Sequence, residues 1–218
     1  GATTNIRSLA ASEPIRRRCT ALVEACESFS TTPIMIMGTL GGNLCNASPS
    51  ADLAPPLIAR SASARIVSAS GEREISLEDF FYGPGESALQ AGELLQAINI
   101  PPPQGSAVYI KHTPRAFMDI AVVGVAARLE LAAGHCRAAG IVLGAVAPTP
   151  LRARQAEAAL VGQSLTDEII ENAARIASEK CAPIDDIRGS AWYRRRMVGV
   201  LTRRALTALS RSQPVHAR

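Results

Sequence analysis

At 218 residues with 47% hydrophobic and 19% charged side chains, the chain can bury a sizeable core in one large or two small domains and is no disordered polymer. Aromatics are only 4%, so Ala, Val, Ile and Leu must build that core. The net charge of +4 is mildly basic, and the arginine runs at 16–18, 194–196 and 203–204 carry no aromatic interleaving or nucleic-acid motif. They read as solvated helix faces or subunit contacts, and nucleic acid is not an expected partner.

In chain order, 6–11 reads as a helical turn. Ser12 and Pro14 open a helix that Ile15, Leu22, Val23 and Ala25 carry to about Phe29. A loop holding Gly41-Gly42 follows, then a short helix over 53–59. Residues 64–69 alternate as a strand, Ser70-Gly71 turns, and 73–77 returns as its hairpin partner. Residues 78–81 begin a loop broken by Gly83-Pro84-Gly85, and 94–100 is a strand stopped by Pro101-Pro102-Pro103.

Three fixed φ angles without N–H donors make a stiff extended linker, so the expected division is 1–104, 105–212 and a tail at 213–218. Beyond the linker 107–111, 120–131 and 136–146 read as strands, with a turn at Gly134-His135. Residues 151–160, 166–181 and 191–209 read as helices, Thr166 capping the second, and 210–218 as a frayed end. Strands followed by helices give an α+β fold with helices on one sheet face.

Five cysteines (Cys19, Cys26, Cys45, Cys136, Cys181) stand far apart, without a CxxC or a His at ligand spacing. They read as reduced thiols of a cytoplasmic protein, and no metal site is expected. No apolar run approaches the ~20 residues that span a bilayer. The start lacks the basic and apolar regions of a signal peptide and does not begin with Met, which reads as a processed or truncated piece. His112, His135 and His216 are scattered, so no catalytic triad and no catalytic residue is expected.

Chemistry concentrates between Thr39 and Asp52. Gly41-Gly42, flanked by Thr39 and Asn43, fits either a tight turn or a nest of amides for phosphate. Neither a Walker loop nor GxGxxG is present. Asp52 can accept from a ribose hydroxyl or cap the helix at 53, and the two roles are compatible. Lys111 sits in a short segment with Arg115 and Asp119; composition favours an Arg115–Asp119 pair at a strand end over a Lys111 ammonium beside a cofactor.

Taken together and in order, several stretches resemble the FAD-binding medium subunit of the molybdenum hydroxylases, the family of aerobic carbon monoxide dehydrogenase and xanthine dehydrogenase. They are Gly1-Ala2-Thr3-Thr4; Gly38-Thr39-Leu40-Gly41-Gly42-Asn43 with Ala47-Ser48-Pro49 and Asp52; and Gly71-Glu72-Arg73 with Asp79-Phe80-Phe81. Glu93-Leu94-Leu95 with Ile100-Pro101, Lys111 with Arg115 and Asp119-Ile120-Ala121, then 144–152 and 190–196 continue the series. It covers almost the whole chain.

The resemblance implies the second subdomain of a PCMH-type FAD-binding domain, followed by a small sheet-plus-helices domain of the CO dehydrogenase flavoprotein C-terminal type. It implies an oxidoreductase subunit that moves electrons through FAD, with [2Fe-2S] clusters on a small partner subunit and molybdopterin on a large one. Thr39, Leu40, Gly41, Gly42 and Asn43 would hold the pyrophosphate and nearby flavin through backbone amides. Asp52 would bind on the nucleotide side, Phe29 would lie against FAD, Leu95 would pack on it, and Lys111 would stand near the flavin.

The chain departs from that pattern. It starts after the family's N-terminal FAD subdomain, so a separate N-terminal FAD-binding segment is a further expected partner. Met35-Ile36-Met37 replaces a more polar stretch, and the Cys-rich insertion of some relatives is missing. The rival reading is a scaffold that has lost FAD and only docks partner subunits.

Overall fold

The computed structural model describes residues 1–115 and 118–211. Its first half is mostly short helices. Asn5 caps α1 (Ile6–Ala11), its Oδ1 accepting from the Ser8 amide at 2.7 Å. The single helix expected over 12–29 is two, α2 (Glu13–Arg18) and α3 (Thr20–Glu27), parted at Cys19, whose φ of −141° is not helical. Burial explains the break: α2 buries none of its residues and carries Arg16, Arg17 and Arg18, whereas α3 buries Ala21, Leu22, Val23, Ala25 and Cys26. Burial also pushes the Cys26 thiol up to about 12.

A further helix, α4 (Thr32–Met37), stands where no element was expected, with Pro33 in its first turn. The Gly-Gly loop is likewise a helix, α5 (Leu40–Cys45), and Thr39 is its cap. All six residues of α6 (Ala54–Ala59) are buried.

Three antiparallel strands follow. β1 (Ser63–Ser68) and β2 (Gly71–Ser76) form the expected hairpin, then a 3-10 turn (Leu77–Phe80) leads into a small extra hairpin of β3 (Phe81–Gly83) and β4 (Glu86–Ser87). β5 (Leu94–Asn99) pairs with the other edge of β1, giving the order β2-β1-β5. Beyond the prolines, β6 (Ser106–His112), β7 (Val123–Ala132), β8 (His135–Gly144) and β9 (Leu151–Arg152) form a second antiparallel sheet in that order.

The helix expected from 151 therefore begins only at Arg154, as α7 (Arg154–Leu160), because Leu151 and Arg152 pair with Leu143 and Val142. In α8 (Asp167–Lys180) Thr166 is the cap, its hydroxyl accepting from the Ile169 amide. The closing helix α9 (Ala191–Arg211) takes in Ser210 and Arg211, expected to fray. The rest of the tail, 212–218, lies outside the described residues, as does His216. Among the described residues no helix is long and apolar enough to cross a membrane.

The second sheet is buried on both faces. On β7, Val123, Val125, Ala127 and Leu129 join the core made with α7, α8 and α9, as do Ile141 and Leu143 of β8. The alternate positions Ala126 and Val142, with Tyr109 of β6, belong to the other core, built by the first half of the chain. Side chains a period of two apart thus serve different layers. Helices cover one sheet face as expected; α3, α6 and their neighbours cover the other.

The first sheet is latched at its edge. Arg73 on β2 grips Glu93 with two hydrogen bonds, Nε to Oε1 and Nη2 to Oε2, each 2.7 Å, while the Gln90 amide donates to Oε2. This geometry holds the Glu93 carboxyl down at about 2, against an ordinary 4.5. A carboxyl depressed in the folded state contributes stability above its unfolded value, and that contribution is lost as pH falls from 4.5 toward 2. Glu93→Gln should therefore be less stable than the parent at neutral pH and lose less on acidification, seen as a flatter plot of melting temperature against pH across that window. A parallel plot would remove Glu93 from the acid response.

Candidate functional site

Where the two halves meet, four expected site residues converge: Phe29 just after α3, Asn43 in α5, Asp52 before α6, and Lys111 near the end of β6. They line one open cleft of about 290 Å³ together with Ser48, Ser50, Ile34 and Ile120. Its floor is an ion pair. Lys111 Nζ lies 2.9 Å from Asp52 Oδ2 and also donates to the Ser28 carbonyl at 3.0 Å. The Tyr109 hydroxyl donates to Asp52 Oδ1 at 2.8 Å. The Asp52 and Lys111 side chains are only 6% and 5% exposed.

Both Asp52 oxygens are thus taken within the protein. Burial pushes its carboxyl above the ordinary range, and the Lys111 charge and the hydrogen bonds from Lys111 and Tyr109 pull the other way. Burial and the Asp52 charge raise the Tyr109 phenol well above its usual value. Asp52 does not cap a helix: Leu53 holds the cap position of α6 and makes no side-chain cap bond. Its charge serves as a tie between the halves.

Tyr109 was missed as a site residue, though it lies two positions before Lys111 and so shares its strand face. Gly124 on β7, the register partner of Lys111, leaves room for the Tyr109 ring. A Cβ there would come within 2.6 Å of the Tyr109 hydroxyl.

The structure leaves Thr39, Leu40, Gly41, Gly42 and Leu95 off the lining of this cleft. Amides expected to face an anion are already engaged. Leu40 N–H donates to the Thr4 carbonyl and Gly41 N–H to that of Ala2. Gly42 N–H donates to Thr39 Oγ1 and Asn43 N–H to the Thr39 carbonyl. Gly41 is required by a close approach, since a Cβ would sit 2.7 Å from that of Ala2. The glycine pair therefore seats residues 1–4 of this same chain. Leu95 is half-buried against the first core. The Arg115–Asp119 pair forms as composition suggested, Arg115 Nε to Asp119 Oδ2 at 3.3 Å, in a segment whose residues 116 and 117 lie outside the described residues.

A second cleft, of about 340 Å³, shares Ser48, Ser50 and Ile120 with the first and is walled by Pro148, Ile184 and Arg194. Arg194 is buried, donating to the Val122 and Ala145 carbonyls and pairing with Asp186 at 2.5 Å. At about 290 and 340 Å³ both clefts stand at the lower end of the roughly 300–1,000 Å³ that ligand pockets span. Apolar walls from Phe29, Ile34 and Ile120 with polar edges from Asn43, Ser48 and Ser50 suit a flat heteroaromatic ring. The residues present fit FAD in part, through side chains rather than a free amide nest.

The two halves correspond to two family models. Residues 1–103 match the FAD binding domain in molybdopterin dehydrogenase, and 108–209 match the CO dehydrogenase flavoprotein C-terminal domain. The glyceraldehyde dehydrogenase medium chain of Sulfolobus acidocaldarius is 31% identical over 94% of this chain and 73% of its own length. The carbon monoxide dehydrogenase medium chain of Afipia carboxidovorans is 34% identical over 94% of this chain and 72% of its own. A solved structure of reconstituted CO dehydrogenase from Oligotropha carboxidovorans superposes with a TM-score of 0.93 at 32% identity, covering 98% of this chain and 75% of that one. The chain belongs to the FAD-binding medium subunits of the CO dehydrogenase/xanthine dehydrogenase-type molybdenum hydroxylases, and so to a family of oxidoreductase components.

The buried pair makes a prediction. Removing one partner strands the other charge, which costs about 3–5 kcal/mol, whereas replacing both with apolar groups is near neutral. Asp52→Ala and Lys111→Met should each lower unfolding free energy by about that amount in urea titrations, and the double variant should recover most of it. Additive losses would mean that the pair carries no coupling.

Proposed function

We propose that this chain is the flavin-carrying, electron-transfer subunit of a molybdenum-containing dehydrogenase. In this reading it receives electrons from the iron–sulfur clusters of a small partner subunit, fed by a molybdopterin-bearing large subunit, and passes them to an acceptor. What carries the reading is the ordered pair of family matches, together with paired clefts at the junction of the two halves. We divide the chain functionally into 1–104 and 105–212. Five free thiols suit a reducing cytoplasm as its compartment.

FAD, when bound, supplies the redox chemistry; the chain supplies placement and field. Phe29 offers a ring face, and Asn43, Ser48 and Ser50 offer polar edges for orientation. Asp52 and Lys111 set a rigid floor that is neutral as a pair. Thr39, Leu40, Gly41 and Gly42 hold the start of α5 so that Asn43 faces the cleft, and Leu95 packs behind them. The same engaged amides favour a second reading, in which the chain is a scaffold without flavin that docks partner subunits.

Flavin absorption of the purified complex, followed by FAD titration after the flavin is stripped, separates the two readings. A flavin spectrum and saturable rebinding are expected, and a colourless complex that takes up no FAD leaves the scaffold. Phe29→Ala should weaken FAD affinity about tenfold, the scale of losing an aromatic face contact. Unchanged affinity would take Phe29 out of the site.

A further inference from the structure

Away from these clefts, where the proline linker meets the second sheet, two arginines are buried side by side. Arg60, just past α6, is 7% exposed, and Arg128 on β7 is 8% exposed. Arg128 Nε donates to the Ala59 carbonyl at 3.1 Å and its Nη1 to the Gln104 carbonyl at 3.2 Å. Arg60 makes one long contact, Nη2 to the Pro101 carbonyl at 3.4 Å, and its buried Nε has no hydrogen-bond partner.

Among the described residues no carboxylate makes an ion pair with either guanidinium, though the Glu130 and Glu157 charges act on Arg128. Both carboxylates are turned to other partners, Glu130 to Arg137 at 3.7 Å and Glu157 to Arg152 at 2.8 Å. Burial holds the Arg128 guanidinium below its ordinary value; the Glu130 charge opposes this, and the Arg60 charge acts with it.

Two like charges taken out of water with no carboxylate in contact are costly, and an anion between them would lower that cost. Space for one exists. A cavity of about 170 Å³ is lined by Arg60, Ser61, Pro101, Pro102, Gln104 and Arg128. Arginine forks match tetrahedral oxyanions, and both guanidinium-bearing residues line this cavity.

We propose that this cavity is a binding site for a small inorganic oxyanion of the phosphate or sulfate class, held between Arg60 and Arg128. The ion neutralises both guanidiniums and fastens the 101–104 linker to the sheet. Its size and place separate it from the flavin clefts, so the inference does not rest on the function proposed above.

Thermal melts of the full chain in inorganic phosphate, against chloride at equal ionic strength, test it. At about five times the dissociation constant, phosphate should raise the melting temperature by about 2–4 °C. Arg60→Met should weaken phosphate at least tenfold by calorimetry while melting no lower than the parent in chloride, because it removes an uncompensated buried charge. Arg7→Met, an exposed change on α1, should leave the phosphate response intact. A phosphate effect equal to that of chloride, or one retained in Arg60→Met, overturns the proposal. If Arg60→Met fails to fold, crystals of the unaltered protein grown in sulfate decide: density between Arg60 and Arg128 supports the site, and an empty cavity refutes it. A glycerol phosphate arm tells a free ion from the phosphate group of a larger ligand, and only the free ion should give the full shift.

Discussion

The architecture hangs on a carboxylate and an ammonium placed where water scarcely reaches. Asp52 comes from a loop of the first half and Lys111 from a strand of the second, and at 2.9 Å they close the junction between them. Neither charge would be tolerated there alone. Together they are neutral as a pair, and with Tyr109 and the Ser28 carbonyl they leave no oxygen of the carboxylate unclaimed. Phe29 and Asn43 reach the same cleft because this tie brings α3, α5 and β6 to one place.

That tie revises the chemistry available to a cofactor. A carboxylate free to accept from a ribose would have been a direct ligand; here both its oxygens are committed to Tyr109 and Lys111. The glycine pair shows the same economy. Its amides bind the opening residues of the chain, and its missing Cβ makes room for Ala2. What remains for a ligand is an apolar wall with hydroxyl and amide edges.

Much of the fold could be read from residue patterns. Alternation along β1 and β2 and the turn at Ser70-Gly71 marked the hairpin, and long β-rich runs marked β7 and β8. Thr166 marked the start of α8. Reading failed where the decision is tertiary. Nothing local in 12–29 announces a break at Cys19, because the break serves to bury α3 while leaving α2 wet. Thr39 with two glycines looks like a loop, and only the docking of residues 1–4 shows it to be a helix start. Of the site, Phe29, Asn43, Asp52 and Lys111 were legible as members. That Asp52 and Lys111 are each other's partners was not, since 59 residues separate them. Tyr109 could have been found by counting two back from Lys111.

The sheet shared by two cores carries a consequence for how the chain acquires its shape. Tyr109, Ala126 and Val142 complete the core of the first half, so residues 1–104 pack over a surface that β6, β7 and β8 supply. The ties that lock the halves join partners far apart in the chain: 57 residues for Tyr109 and Asp52, 69 for Arg128 and Ala59. Contacts of that span slow folding because loop closure comes before its reward. The β7–β8 hairpin, joined by the short turn at Ala133-Gly134, is the local piece able to form early and template the rest. The triple proline therefore punctuates the sequence without separating the packing, since strands beyond it supply residues to the first core.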